Sequence, residues 1–275
     1  MLFTTSTFLV FFLITFCIYY FPLCRKNQIA ILVIASFIFY AWSSPILLIL
    51  LVISILINGL ASFQVGQAEK KNKQLFWALL AVVINISILS IFKYGALLTH
   101  LVVDRFNPSN APTEGMIALL LYLPLPIGIS FYTFEGISLV VDVLRRKQKD
   151  SQAISIVDSN LINHLLNTSF FVAFFPHLIA GPILKAHNFY PQISTKYFKD
   201  IPWDVVFHSL VVGYFLKMVV ADNLKDYTFW LAFPYYQGLG TVTNLFLLFG
   251  YSMQIFADFA GYSLIAIRQK FPQHW

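Results

Sequence analysis

Apolar runs of membrane length, separated by short polar stretches, constrain this chain more than any other feature. They cover Thr7–Leu23, Ile29–Trp42, Ile46–Val65, Leu75–Leu98, Ile127–Arg146, Leu165–Ile183, Val205–Val220 and Asn244–Ile267. A bilayer core about 30 Å thick takes roughly 20 apolar residues as a helix, because backbone polar groups must pair internally there. With 59% hydrophobic and 11% charged residues, the composition leaves too few charges for a soluble domain; soluble chains carry about 25%. The sequence therefore predicts an all-α polytopic membrane protein. The net charge of +6 is not spread as a nucleic-acid surface but gathered in clusters between the runs. The lipid bilayer is the expected partner, and no nucleic acid is expected. Cys17 and Cys24 both lie at the first run, which gives neither a disulfide framework nor a cysteine metal site. No metal site and no bound cofactor are expected.

Three basic clusters orient the chain. Arg25/Lys26, Lys70/Lys71/Lys73 and Arg145/Arg146/Lys147/Lys149 follow the first, third and fifth runs. The loops between, Ser43–Pro45 and Thr99–Gly115, hold one cation, Arg105. Alternation and the positive-inside rule agree on cytoplasmic clusters and an N-terminus outside. Ser43-Ser44-Pro45 predicts a tight break between the second and third runs. Asn58 and Gly59, inside the third run, read as helix-packing residues.

The fifth run organises the rest. Pro124 and Pro126 suit the opening turn of a helix, and Arg145, Arg146 and Lys147 suit its end. Twenty residues from Ile127 to Arg146 give about 30 Å at ~1.5 Å per residue. Glu135, Ser138 and Asp142 recur at i, i+3 and i+7 and share one face. A carboxylate at bilayer depth costs roughly 2.5–3.5 kcal/mol, so this face should meet protein or a water-filled cavity. Pairing with Lys93 or Lys217 is the expected way to neutralise Glu135, Asp142 and Asp258; a proton relay is the alternative.

The sixth run is broken by Pro176 and Gly181-Pro182, and the basic loop after it stays cytoplasmic if the segment dips in and returns. This predicts a re-entrant hairpin near Pro176–Pro182, beside the organising helix. Ala221-Asp222-Asn223 is expected to cap the helix over Val205–Val220, and Leu224–Thr243 to be interfacial. In the last run Tyr251, Gln254, Asp258 and Tyr262 form a second polar stripe, with Gln254 and Tyr262 expected to knit helices together. No internal repeat is present, so an inverted-repeat transporter has no support.

Leu125–Phe134 (LPIGISFYTF), Phe174–Ile183 (FFPHLIAGPI), Ala221–Leu224 (ADNL) and Gln254–Ser263 (QIFADFAGYS) occur in this order. Together with Phe92-Lys93-Tyr94 they resemble signatures of the membrane-bound O-acyltransferase family, in its alginate O-acetylase branch. The resemblance covers essentially 1–267, as one transmembrane domain; 268–275 is an unmatched polar tail. It implies a multi-helix bundle with re-entrant segments around a tunnel, in the cell inner membrane, with the N-terminus periplasmic. It also implies transfer of an acetyl group from a cytoplasmic donor to a hydroxyl of an exported polysaccharide, with periplasmic polysaccharide-acetylation proteins as partners. The donor is not read from the residues. The family's central histidine, in a Trp-His motif, would lie beyond Trp275. No catalytic residue is therefore assigned, and the 275-residue chain is expected to be incomplete and inactive alone. An acyl channel or an inert fragment are the alternatives.

Acyl transfer to an alcohol needs a base, which imidazole suits. His100, His164 and His187 read as solvated loop or interface residues, and His208 as a packing or capping residue. His177, beside the Pro176 break, is the candidate: it lines a tunnel, or it bonds backbone carbonyls freed by the hairpin. Glu135, Asp142, Gln254, Asp258 and Tyr262 complete the candidate tunnel lining or buried polar network.

Overall fold

The computed structural model describes residues 5–43, 45–106, 126, 128–148, 156–178 and 184–268. The described chain is 87% helical, and no strand occurs in it. This is the all-α architecture of a polytopic membrane protein. The helices are α1 Ser6–Tyr20, α2 Gln28–Ser43, α3 Pro45–Gln67, α4 Lys71–Phe106 and α5 Ile129–Gln148. They are followed by α6 Leu161–Ala173, α7 Phe175–Leu178, α8 Ala186–Phe189, α9 Trp203–Tyr214, α10 Asp222–Thr228 and α11 Thr241–Arg268. Among the described residues, four helical stretches are long and apolar enough to cross a membrane: Pro22–Ser43, Pro45–Gln67, Lys71–Gly95 and Trp203–Leu231. The organising helix α5 is not one of them. Its 20 residues suffice in length, but Glu135, Asp142, Arg145 and Arg146 weigh against it in composition.

Helix ends follow local chemistry. Thr5 caps α1 by accepting from the Phe8 N–H at 3.3 Å, and Asn160 caps α6 by accepting from the Ile162 N–H at 2.9 Å. Pro45 opens α3, where its missing N–H costs nothing. Helix α4 starts four residues before the expected Leu75 and runs on past Leu98 to Phe106. No proline interrupts it before Pro108. Conversely α5 starts at Ile129, not Ile127, because Gly128 takes φ 78°, a left-handed conformation that ends helical continuity. Pro124, expected in the opening turn, lies outside the described residues.

The chain divides into two compact units. Unit 2 is Ile29–Leu178 with Ile183–Ser194, holding α2–α8. Within it α3 packs on α4, α5 and α6, and α5 packs on α4, α6 and α8. Small and polar residues set these crossings, because lipid removes the hydrophobic drive between helices. Asn58 and Asn85 exchange amide hydrogen bonds at 2.9 and 3.2 Å between α3 and α4. Gly136 of α5 lies against the Asn58 amide so closely that a β-carbon would overlap it. Gly59 meets Leu165 of α6, where a β-carbon would come within 2.6 Å of its Cδ2. The packing role expected of Asn58 and Gly59 is what the structure shows.

Unit 1 is Met1–Gln28, Ile179–Pro182 and Thr195–Trp275. Gln28 ties its N-terminal part to the later loop: its amide donates to the Lys196 carbonyl at 2.9 Å, and its carbonyl accepts from the Lys196 N–H at 3.0 Å. Ala221-Asp222-Asn223 does not cap a helix. The backbone passes from α9 through a π-helical stretch, Phe215–Ala221, directly into α10. Asn223 donates its amide to the Val219 carbonyl at 2.7 Å, bonding within the helix rather than ending it. Gly213 of α9 and Gly261 of α11 bring these helices into backbone contact: a β-carbon on Gly261 would lie 2.8 Å from the Gly213 carbonyl oxygen. Phe229–Leu231 and Tyr235–Gly238 form 3₁₀ turns before α11.

Candidate functional site

Two polar centres stand out, one in each unit. In unit 2 the sixth run breaks at Phe174, two residues ahead of Pro176. Proline then occupies the first turn of α7, where its fixed φ is tolerated. In an unbroken helix the Phe175 N–H would bond the Phe171 carbonyl. Instead it donates to Ser36 Oγ of α2 at 3.1 Å. The Phe171 carbonyl is thereby freed, and His177 Nε2 meets it at 3.0 Å. The same nitrogen lies 3.1 and 3.2 Å from the two carboxylate oxygens of Glu135 on α5. Both side chains are 1% exposed. His177 thus bonds a freed backbone carbonyl, as one of its two expected roles required, and also holds Glu135. Phe174 and Phe189 flank the imidazole, with ring centroids at 5.5 and 6.3 Å.

Two turns along α5, Asp142 accepts from the backbone N–H of His187 at 3.2 Å and contacts His187 Nδ1 at 2.9 Å. The organising helix therefore presents two carboxylate–imidazole pairs on the face that Glu135, Ser138 and Asp142 were expected to share. The deeper pair is fully buried, whereas His187 is 36% exposed. Histidines thus stand where lysines were expected beside Glu135 and Asp142. Lys93 instead lies over the Tyr94 ring at 5.6 Å, on an exposed part of α4. The tertiary fold brings α7 and α8 onto α5, and both carry a histidine. As expected, α7 lies beside α5. Residues 179–183, where the hairpin would return, are outside the described residues.

His164 corrects the solvated reading. It is fully buried, with Nε2 2.8 Å from Ser62 Oγ of α3. Ser62 has one proton and bonds the Gly59 carbonyl at 3.1 Å, so His164 donates to Ser62. His187 is likewise held by Asp142 rather than solvated in its loop, while His208 stands exposed on α9 instead of packing. His100 lies where side chains are not described. The helical spacing of His164 from Thr168 and Phe171 on one buried face was the available signal for its burial.

In unit 1, Lys217 sits in the π-helical stretch. Its ammonium meets Asp222 at 2.7 Å and Asp258 of α11 at 2.6 Å, and it lies 5.2 Å from the centre of the Tyr262 ring. The expected pairing of Asp258 with Lys217 is present. Gln254, one turn before Asp258, accepts from Thr228 of α10 at 2.5 Å. Gln254, Asp258 and Tyr262 thus knit α11 to its neighbours, while Tyr251 is exposed. π-Helical turns recur at functional sites; here the wider turn places Lys217 and Asp222, five apart, in contact. Among the described residues no group of three or more histidine, cysteine or acidic side chains could hold a metal ion.

No family model and no solved structure matches the chain. Curated proteins do. A probable alginate O-acetylase of Pseudomonas syringae pv. tomato is 32% identical over 272 residues, spanning 97% of this chain and 48% of that protein. A peptidoglycan O-acetyltransferase of Helicobacter pylori is 31% identical over 257 residues, covering 86% of this chain and 46% of that protein. A teichoic acid D-alanyltransferase of Bacillus subtilis is 27% identical over 144 residues, 51% of this chain and 33% of its own. The chain spans about half the length of the alginate and peptidoglycan relatives it matches. With acyl transfer common to all three names, and the four motifs in order along the chain, the protein belongs to the membrane-bound O-acyltransferase family.

Proposed function

We propose that this chain serves an O-acetyltransferase that acts on an exported polysaccharide of the alginate type. The observation that carries the reading is similarity at about 30% identity across 97% of the chain to alginate O-acetylases. An acetyl donor on the cytoplasmic side would supply the acyl group, the polar centre along α5 would line its path, and the bilayer would be the cell inner membrane with the N-terminus outside. Periplasmic polysaccharide-acetylation proteins would receive or complete the product.

Deleting the gene and measuring ester acetyl groups on the secreted polysaccharide tests the reading. Loss of those groups, restored by the gene in trans, is the expected result. Unchanged acetylation refutes it.

A further inference from the structure

We propose that His177 is a binding residue for a sugar hydroxyl, with Nδ1 as the hydrogen-bond acceptor and Glu135 as the positioning residue that keeps it one. This rests on the acetyltransferase reading above for the class of ligand, and on geometry for the site. His177 Nε2 faces acceptors only: the Glu135 carboxylate at 3.1 and 3.2 Å and the Phe171 carbonyl at 3.0 Å. It must therefore carry the proton. In the neutral ring that leaves Nδ1 as a lone pair, and this buried nitrogen has no hydrogen-bond partner among the described residues. The ring is 1% exposed, so bulk water does not satisfy it at the surface.

A structural role explains part of this arrangement but not all of it. The broken helix frees the Phe171 carbonyl once Phe175 turns to Ser36, and a donor at Nε2 repairs that loss. An asparagine or glutamine amide could supply that donor as well, with its own carbonyl oxygen left to be paired. What a repair does not require is a buried carboxylate on the same nitrogen. A carboxylate there fixes the tautomer and the ring orientation, which suits a group that takes a hydrogen bond from a hydroxyl. Flanking contacts with Phe174 and Phe189 hold the ring plane. An acceptor so fixed is matched to a donor from a ligand, and buried polar atoms left unpaired in a native fold call for such an explanation.

The test uses the full chain in lipid nanodiscs with ¹⁵N-labelled histidine, read by solid-state NMR. The His177 signals are those lost in His177→Gln, whose amide nitrogen can still reach Phe171 and Glu135 while offering nothing at the Nδ1 position. The expected spectrum has Nε2 protonated and Nδ1 bare. Unacetylated alginate oligosaccharide shifts Nδ1 toward the hydrogen-bonded acceptor position. Glu135→Gln weakens the oligosaccharide's apparent affinity about tenfold, the scale of one hydrogen bond. His177→Gln keeps the thermal unfolding midpoint but loses the heat of oligosaccharide binding.

A protonated Nδ1 in the free chain overturns the proposal. So does an Nδ1 signal indifferent to saturating oligosaccharide, or one that responds only to changed hydration, which makes the occupant water. Each of these leaves the acetyltransferase reading standing if gene deletion still removes acetyl groups. An Nδ1 that responds to oligosaccharide in a chain whose deletion leaves acetylation intact upholds the site and refutes that reading.

Discussion

The contact between Gly136 and Asn58 gives a quantitative test of how unit 2 is held together. Gly136→Ala adds one methyl group where a β-carbon already overlaps the Asn58 amide. Three terms set the outcome. Overpacking a filled helix crossing costs about 1–3 kcal/mol. Displacing the Asn58 amide breaks its reciprocal bonds with Asn85, at roughly 0.6 kcal/mol each in a membrane protein, or about 1 kcal/mol together. Replacing glycine by alanine in a helix interior returns about 0.5–1 kcal/mol. The net expectation is a loss of about 2 kcal/mol. Asn58→Ala, which empties the space, should reverse the sign, so that Gly136→Ala in that background gains about 0.5–1 kcal/mol. Reversible unfolding in mixed micelles, followed by helical circular dichroism, measures all four corners of the cycle. The reasoning fails if Gly136→Ala is neutral in the native background, or if its cost is the same with and without Asn58, because either result removes the contact as the cause.

Two further outcomes follow from named contacts. Lys217→Met strips the cation from between Asp222 and Asp258; these carboxylates are 46% and 43% exposed, so the expected loss is about 1–2 kcal/mol rather than that of a fully buried pair. Adding Asp258→Asn should recover part of it, and an unchanged unfolding midpoint for Lys217→Met would show the network to be inert. For topology, Cys24 stands next to the Arg25/Lys26 cluster. In a Cys17→Ser background a membrane-impermeant thiol reagent should label it from inside-out vesicles and not from right-side-out ones; the reverse pattern refutes the orientation with the N-terminus outside.

The linear sequence determined the class and the positions of most helices. Runs long enough for a bilayer, broken where Ser43-Ser44-Pro45 and Pro176 stand, needed only the rule that backbone groups in lipid must pair within a helix. The grouping of Glu135 and Asp142 was equally legible, since the 3.6-residue period puts i and i+7 on one face. Asp258 and Lys217 were a readable pair because each is costly alone. Which partner each carboxylate on α5 would find was not legible. The placement of the broken segment beside α5 was expected, but which of its side chains meets Glu135, and the docking of α8 at Asp142, are long-range details that no local pattern encodes. They delivered histidines where lysines had been expected. The packing of α6 on α3 likewise buried His164 against Ser62. Tertiary structure also decided where helices begin and continue. Gly128 adopts a left-handed backbone and delays α5, while the π-helical stretch carries the chain through Asp222, a residue that in sequence reads as a stop. Local composition sets what a segment can form; the neighbouring helix decides what its polar groups bond, because in a low-dielectric interior an unpaired group costs more than an unfavoured turn.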